Sequence, residues 1–389
     1  MSLRVARAAI VSILMLPVFA APAAADVGDT KEFPIDTPFG VSGVVSMVTG
    51  PDGNLWFVVP DGSGDHVGRL RPDGHYSEFT IRGPTTPGDA HIIEGPDGAL
   101  WFTQWGQGVA AVGRMTTDGH YRRYPLDSNA QPHDITVGPD GALWCTDFIG
   151  NRVTRLDPGT GALTNFPLPT GVAFPDAITS FEGSLRISTR TFNNVLVRMA
   201  TDGRIESSTT LDLEVTQLTV HDSQLWLGGA DGLARLVSSP SGETAQQFAT
   251  GPAEHFAFDT LGRVWMPSHT NLGLSDGIAP ARPPTGVVSR FDESLKGNLQ
   301  GGVDQFSLPD NTIVPSAIAL GPDDQIWVID GARPTRRLFR MLTGAGGVGE
   351  QDFFSRDRLI VLLVATLGGV VIAAVTLDFP RFRRPPVAS

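Results

Sequence analysis

Short apolar runs, broken by clusters of Gly, Pro, Asp and Asn, follow one another along the chain in a recurring order. The sharpest mark of the period is a Leu-Trp-Phe-like run at Trp56, Trp101, Trp144, Trp226, Trp265 and Trp327, with Arg186 once in the same place. The steps are 45, 43, 42, 40, 39 and 62 residues. Each run is followed by an Arg pair, and Arg69-Leu70, Arg114-Met115, Arg155-Leu156, Arg198-Met199, Arg235-Leu236, Arg290-Phe291 and Arg340-Met341 count the units independently. A unit of this length with four strand-like segments cannot bury its own apolar face. It predicts an all-β, seven-bladed propeller, each blade completed by stacking on its neighbours.

The clearest copy runs from Pro132 to Leu168. An apolar run ends at Gly138-Pro139-Asp140-Gly141, which carries the residue types that reverse a chain. Ala142 to Thr146, Arg152 to Leu156 and Thr164 to Leu168 supply three more strands, the last with a Pro that suits an unpaired edge. Phe79, Tyr124, Phe166, Thr209, Phe248 and Phe306 mark the outer strand of six units, and nothing comparable follows Met341. The spare copy is Phe33-Pro34-Ile35, so the amino-terminal strand is expected to complete the last blade and close the ring, leaving only short protected edges.

The composition suits this fold, with 45 Gly and 30 Pro for turns and 41% hydrophobic residues against 18% charged. A net charge of −12 excludes nucleic acid as a partner, since no basic stripe is present to replace phosphate counterions. The single cysteine, Cys145, stands where other units place Phe57 and Phe102 and reads as core filler.

The two ends read differently. Residues 1–25 have Arg4 and Arg7 before an apolar stretch and Ala23-Ala24-Ala25 at the close, the pattern of a secretory signal peptide. The propeller takes residues 26–343 and a tether 344–358. The run 359–377 carries no charge and has the length of a transmembrane helix, and residues 378–389 form a basic tail. The chain is therefore expected to be single-pass, with the propeller extracytoplasmic and the tail in the cytoplasm.

Candidate chemistry follows from the topology. Ligand sites belong on the face where one blade's outer strand crosses to the next blade's first strand, whereas the Gly-Pro-Asp-Gly turns and the nearby His75 and His120 lie on the opposite face. Just before the first strands stand His91, Gln131, His133, Asp176, Gln217, Glu254 and His255. At the ends of the second strands stand Gln104, Trp105, Asp147, Arg190, His269 and Asp330. These polar groups are expected to ring one mouth of the channel. Their spacing carries no tight His-x-His or Cys-x-x-Cys metal signature. A Pro- and Gly-rich excursion at 271–286 lengthens the sixth unit on that same face and is a candidate partner contact.

The run Ile135 to Trp144, the run Trp101-Phe102-Thr103-Gln104-Trp105-Gly106, and Gly150-Asn151-Arg152-Val153 before Arg155-Leu156 resemble the repeat of the virginiamycin B lyase family. The resemblance covers nearly the whole propeller. It implies seven blades and a Mg²⁺-dependent elimination that opens a cyclic streptogramin B at its ester without hydrolysis. Such chemistry needs a base beside the carbonyl, a cation for the enolate-like charge and help for the leaving oxygen.

The chain departs from the family where that chemistry resides. The family has Pro-His before the first strand in two successive late blades, the second preceded by Glu, with a further Glu after the Trp. Only Pro132-His133 keeps the dipeptide, preceded by Gln131. The blades that match by order offer Glu254-His255 and Pro315-Ser316, and the family's Trp-Phe-Thr-Glu acid is Gln104. The expectation is a propeller that binds a small molecule or a cell-envelope protein on its crossing face. The alternative is a lyase with a relocated site, His133 as base and Asp147 beside Mg²⁺. A six-bladed sugar-lactone hydrolase is disfavoured by the seven Arg pairs.

Overall fold

The computed structural model describes residues 26–35, 44, 46–59, 66–81, 90–106, 108–190, 194–240, 242–269, 286–293, 302–310, 312–331 and 337–344, together with the strands Arg358–Val361 and Val375–Asp378. Seven four-stranded antiparallel sheets follow one another around an axis, their first strands innermost. The third blade, for example, consists of Pro132–Val137, Leu143–Asp147, Arg152–Leu156 and Leu163–Pro167. The seventh blade is completed by the amino-terminal strand Thr30–Pro34, which pairs with Arg337–Met341 so that Thr30 faces Met341 and Pro34 faces Arg337. The Gly28 amide donates to the Leu342 carbonyl and the Leu342 amide to that of Asp29, so the two ends of the ring are clasped together.

The core lies between blades rather than inside them. Trp56, Val58 and Val67 of the first blade pack with Ile92, Leu100, Phe102 and Met115 of the second, and comparable clusters fill the other boundaries. Five of the six repeat tryptophans are fixed by an aspartate of their own turn. The Trp101 indole N–H donates to Asp97 Oδ1 at 2.8 Å while Arg114 Nε donates to Asp97 Oδ2 at 2.6 Å, and Asp140 holds Trp144 and Arg155 in the same way at 2.9 and 2.7 Å. Asp52, Asp259 and Asp323 accept from Trp56, Trp265 and Trp327. On the other side of each indole lies the outer-strand aromatic, with Trp56–Phe79, Trp144–Phe166 and Trp327–Phe33 centroids 5.4, 5.3 and 4.7 Å apart.

The rest of the Gly-Pro-Asp-Gly signature follows from this clamp. A Cβ on Gly95 would lie 2.1 Å from the Trp101 ring, so only glycine lets the backbone lie flat on the indole, and Gly98 turns the chain at φ +67°. Cys145, as expected, is buried core, its thiol pushed up to about 12 by loss of solvent and by the nearby Asp147 charge.

The fourth blade breaks the rule twice over, and consistently. Arg186 replaces Trp and Thr209 replaces the outer aromatic; the guanidinium is fully buried and bridges to both oxygens of Glu243 on the fifth blade at 2.8 Å. An ion pair between blades thus takes the place of an aromatic stack within one.

Nearer the other face, hydroxyls on the second strands tie blade two to blade three and blade three to blade four. Thr103 accepts from the His91 amide at 3.0 Å and donates to the His133 carbonyl at 2.9 Å. Thr146 does the same between the Asp134 amide and the Asp176 carbonyl, at 3.0 and 2.8 Å.

The carboxyl-terminal expectation is not met as a helix. No helix among the described residues is long and apolar enough to cross a membrane, and the described ends of the 359–377 run belong to the antiparallel strands Arg358–Val361 and Val375–Asp378. Each described end is only four residues long, too short for periodicity to tell helix from strand. The expected signal peptide, most of the tether, the 271–286 excursion up to Gly286 and most of the tail lie outside the described residues.

Removing the Asp97 carboxylate by Asp97→Ala leaves a buried indole N–H without its acceptor, which should cost about 2–3 kcal/mol in chemical denaturation, whereas Asp97→Asn keeps an acceptor and should cost less. Breaking the blade-four pair with Arg186→Ala should cost about 3 kcal/mol, because it leaves the largely covered Glu243 carboxylate without its partner. Burial opposes ionisation of Asp97 and Asp140, but the indole and guanidinium bonds prevail and hold both carboxyls below their ordinary value. Their contribution is therefore complete above the unfolded carboxylate range of about pH 4 and lost as pH falls through the depressed folded values. Thermal melts should show that loss on acidification.

Candidate functional site

Two strand irregularities build the site. The pairing of the first and second strands shifts between Pro132 and Ile135 in the third blade and between Pro175 and Ile178 in the fourth, each a bulge opened by a proline. Bulges re-aim side chains. Here they bring His133, Asp134 and Asp176 to the channel mouth, and equivalent positions of neighbouring blades meet. His91 Nδ1 lies 3.1 Å from Asp134 Oδ1, and His133 Nδ1 lies 3.0 Å from Asp176 Oδ1. A carboxylate only accepts, so each Nδ1 is the donor, and the carboxylate fixes the orientation of its ring.

Both carboxylates are held from behind. Asp134 accepts from the Ile135 and Ile178 amides at 2.8 Å, and Asp176 accepts from Arg190 Nε at 2.7 Å. Arg190 also reaches Glu214 at 3.4 Å. His255, from the sixth blade, keeps a little solvent contact through the channel yet is crowded by protein. Desolvation first, then the His91 and Arg190 charges, lower its pKa to about 4, with Asp176 acting in the opposite sense.

An aromatic wall borders this polar cluster. Trp105 stacks on His133 at 6.1 Å, His133 on Phe148 at 4.4 Å with ring planes 3° apart, and Phe148 meets Phe174 at 5.2 Å. Phe174 is 42% exposed, Ile149 beside Phe148 is 53% exposed, and Phe174 has φ +55°, a left-handed conformation that a bulky residue adopts only where its surroundings impose it. The Arg190 amide, donating to the Phe174 carbonyl at 3.0 Å, is one such restraint.

Of the residues singled out from the sequence, His91, His133, Asp176, Arg190, Trp105 and His255 thus come together, with Glu254 exposed beside His255. Others serve the scaffold. Asp147 is fully buried, accepting from the Gln131 and Gly150 amides at 2.8 and 2.9 Å and from Arg152 at 2.8 Å, and Asp330 repeats the arrangement with Val314 and Arg337. Gln104 is buried under the Tyr121 hydroxyl, and Gln217 bridges to the Phe256 backbone of the next blade. The His269 side chain lies outside the described residues. Asp134, Phe148 and Phe174 escaped the sequence reading; a proline two or three residues before an apolar first strand was the available signal for the bulge, and so for Asp134.

No three His, Cys, Asp or Glu side chains among the described residues converge as a metal set. The acids here are committed to imidazole, guanidinium and amide donors, and they do not fit Mg²⁺, which asks for hard oxygen ligands held open to it.

Relieving the backbone at one edge of the wall should separate stability from binding: Phe174→Gly is expected to leave the melting temperature unchanged or raise it, by up to about 1 kcal/mol of stability, while weakening any ligand held by the wall.

Comparison with solved structures places the fold. A streptogramin B lyase structure matches with TM-score 0.62 at 21% identity, over 80% of this chain and 96% of that one. The virginiamycin B lyase from Staphylococcus aureus matches with TM-score 0.61 at 19% identity, over 81% and 99%. A catalytically inactive histidine-to-alanine variant of that Staphylococcus aureus enzyme, solved with quinupristin, gives TM-score 0.62 at 19% identity over the same shares. No curated protein matches the sequence. The family model described as the virginiamycin B lyase family matches residues 28–227, more than half the chain, and the protein accordingly belongs to the virginiamycin B lyase family.

Proposed function

We propose that this protein is a membrane-anchored, extracytoplasmic propeller that binds a small ligand in the cleft formed by blades two to four. The observation that carries the reading is the continuous wall of Trp105, His133, Phe148 and Phe174 standing beside the paired histidines and carboxylates. Aromatic faces supply apolar contact at low conformational cost, while a few convergent polar groups fix orientation, which is the usual make-up of a small-molecule site. The location rests on the sequence alone, on the export pattern of residues 1–25 and the uncharged run 359–377. A cell-envelope protein, reached through the 271–286 excursion, is the partner to test if no small molecule binds.

One observation favours a second reading, relocated lyase chemistry: Asp176 orients His133 as a base is oriented in acid–base catalysis. Against it stand Asp147, which is consumed by the Gln131 and Gly150 amides and Arg152, and Gln104 in place of the family acid. What the solved relatives bind is a property of those proteins, and the departures above make binding without turnover the better account.

Fractionation of cells should find the full chain in the membrane, resistant to alkaline extraction and cut by external protease; recovery in the soluble cytoplasm would overturn the location. Incubated with a streptogramin B and Mg²⁺, the protein should leave the drug intact. Ring opening at unchanged mass, lost in His133→Ala, would establish the lyase instead.

A further inference from the structure

The cleft's charge selects among the ligands its aromatic wall admits. Among the described residues the carboxylates of Asp134, Asp176 and Glu214 border it against one guanidinium, that of Arg190, and Glu254 stands exposed just before His255. Asp134 and Asp176 are engaged by the two histidines, so the neighbouring acids most open to solvent are Glu214 and Glu254. Arg190 lies between Asp176 at 2.7 Å and Glu214 at 3.4 Å and is already matched by them. The Glu214 side chain is 40% exposed at the rim, and Glu254 is exposed on the neighbouring loop, with no ion pair among the described residues. His255, which burial keeps from protonating in the neutral range, adds nothing to the positive side.

The wall adds a second, independent contribution of the same sign. The faces of Trp105, Phe148 and Phe174 carry the negative side of the ring quadrupole, and Phe174 offers a face at the open end of the stack. An anion entering would meet both the ring faces and the carboxylates, whereas a cation is attracted by both. A cleft lined by one sign of charge with low-dielectric walls also concentrates ligands of the opposite sign.

We propose that the ligand is a small organic cation joined to a flat apolar ring: the ring extends the Phe148–Phe174 stack, and the ammonium group lies toward Glu214 and Glu254. This rests on the cleft being the binding site, and the test separates the two claims. The full chain, purified in detergent, is titrated calorimetrically with three probes that share one ring, naphthylmethyl-trimethylammonium, naphthylmethanol and naphthylacetate. The cation should bind about tenfold tighter than the alcohol and more tightly still than the acetate. That preference should shrink severalfold in high salt and in the Glu214→Gln, Glu254→Gln double variant, both positions being exposed and the fold checked by melting temperature. Phe174→Ala should weaken all three probes alike. Equal binding of the three, or preference for the acetate, with Phe174→Ala still weakening them, would overturn the cation and leave the cleft as a ring-binding site. Binding that Phe174→Ala and Phe148→Ala leave unaltered, or no binding by any probe, would overturn both.

Discussion

The propeller depends on a carboxylate meeting an indole N–H. A tryptophan large enough to fill the space between two blades carries a donor that must be satisfied in the interior, and the turn aspartate supplies the acceptor four residues earlier in the chain. Because the same carboxylate also takes the arginine of the third strand, one side chain fixes the turn, the second strand and the third strand together. The glycine pressed against the ring and the aromatic on the outer strand are consequences of where the indole is held. The blade is therefore specified by a local motif, while its stability is shared with the blade alongside.

This division explains which parts of the molecule could be read in advance. The clamp is contiguous in sequence, so Trp, Asp and Arg recur at readable spacing and give seven blades; the missing outer aromatic after Met341 likewise pointed to Phe33. The site is not contiguous. His91 and Asp134, or His133 and Asp176, stand 43 residues apart and meet only because neighbouring blades repeat the same position. Asp147 illustrates the converse: a carboxylate at the right strand end invites a chemical role, but the Gln131 and Gly150 amides and Arg152 take it. Phe148 and Phe174 were hidden because loop residues have no period to betray them, and the left-handed backbone of Phe174 is imposed by contacts far along the chain. At the carboxyl end an uncharged apolar run signals burial without stating the geometry, and its two described ends pair as antiparallel strands.

Scaffold and site are joined through the hydroxyls. Thr103 and Thr146 bind the backbone of the very residues that form the histidine–carboxylate pairs, so the distance between one blade's imidazole and the next blade's carboxylate is set by the same bonds that hold the blades in register. A site assembled in this way is rigid so long as the ring is closed, and it tolerates change within a blade better than change between blades.

Closure by the strand Thr30–Pro34 has a directional result as well. The last strand runs toward the turn face, where Arg340 meets Asp323 and Arg263 grips the Thr343 carbonyl, so the chain leaves the ring at Gly344 on the face away from the cleft, beside the point at which Asp26 enters. Both ends are thus gathered at one pole of the ring. The strand pair that closes the ring thus shares its pole with the residues at which the chain enters and leaves it, opposite the histidine–carboxylate pairs.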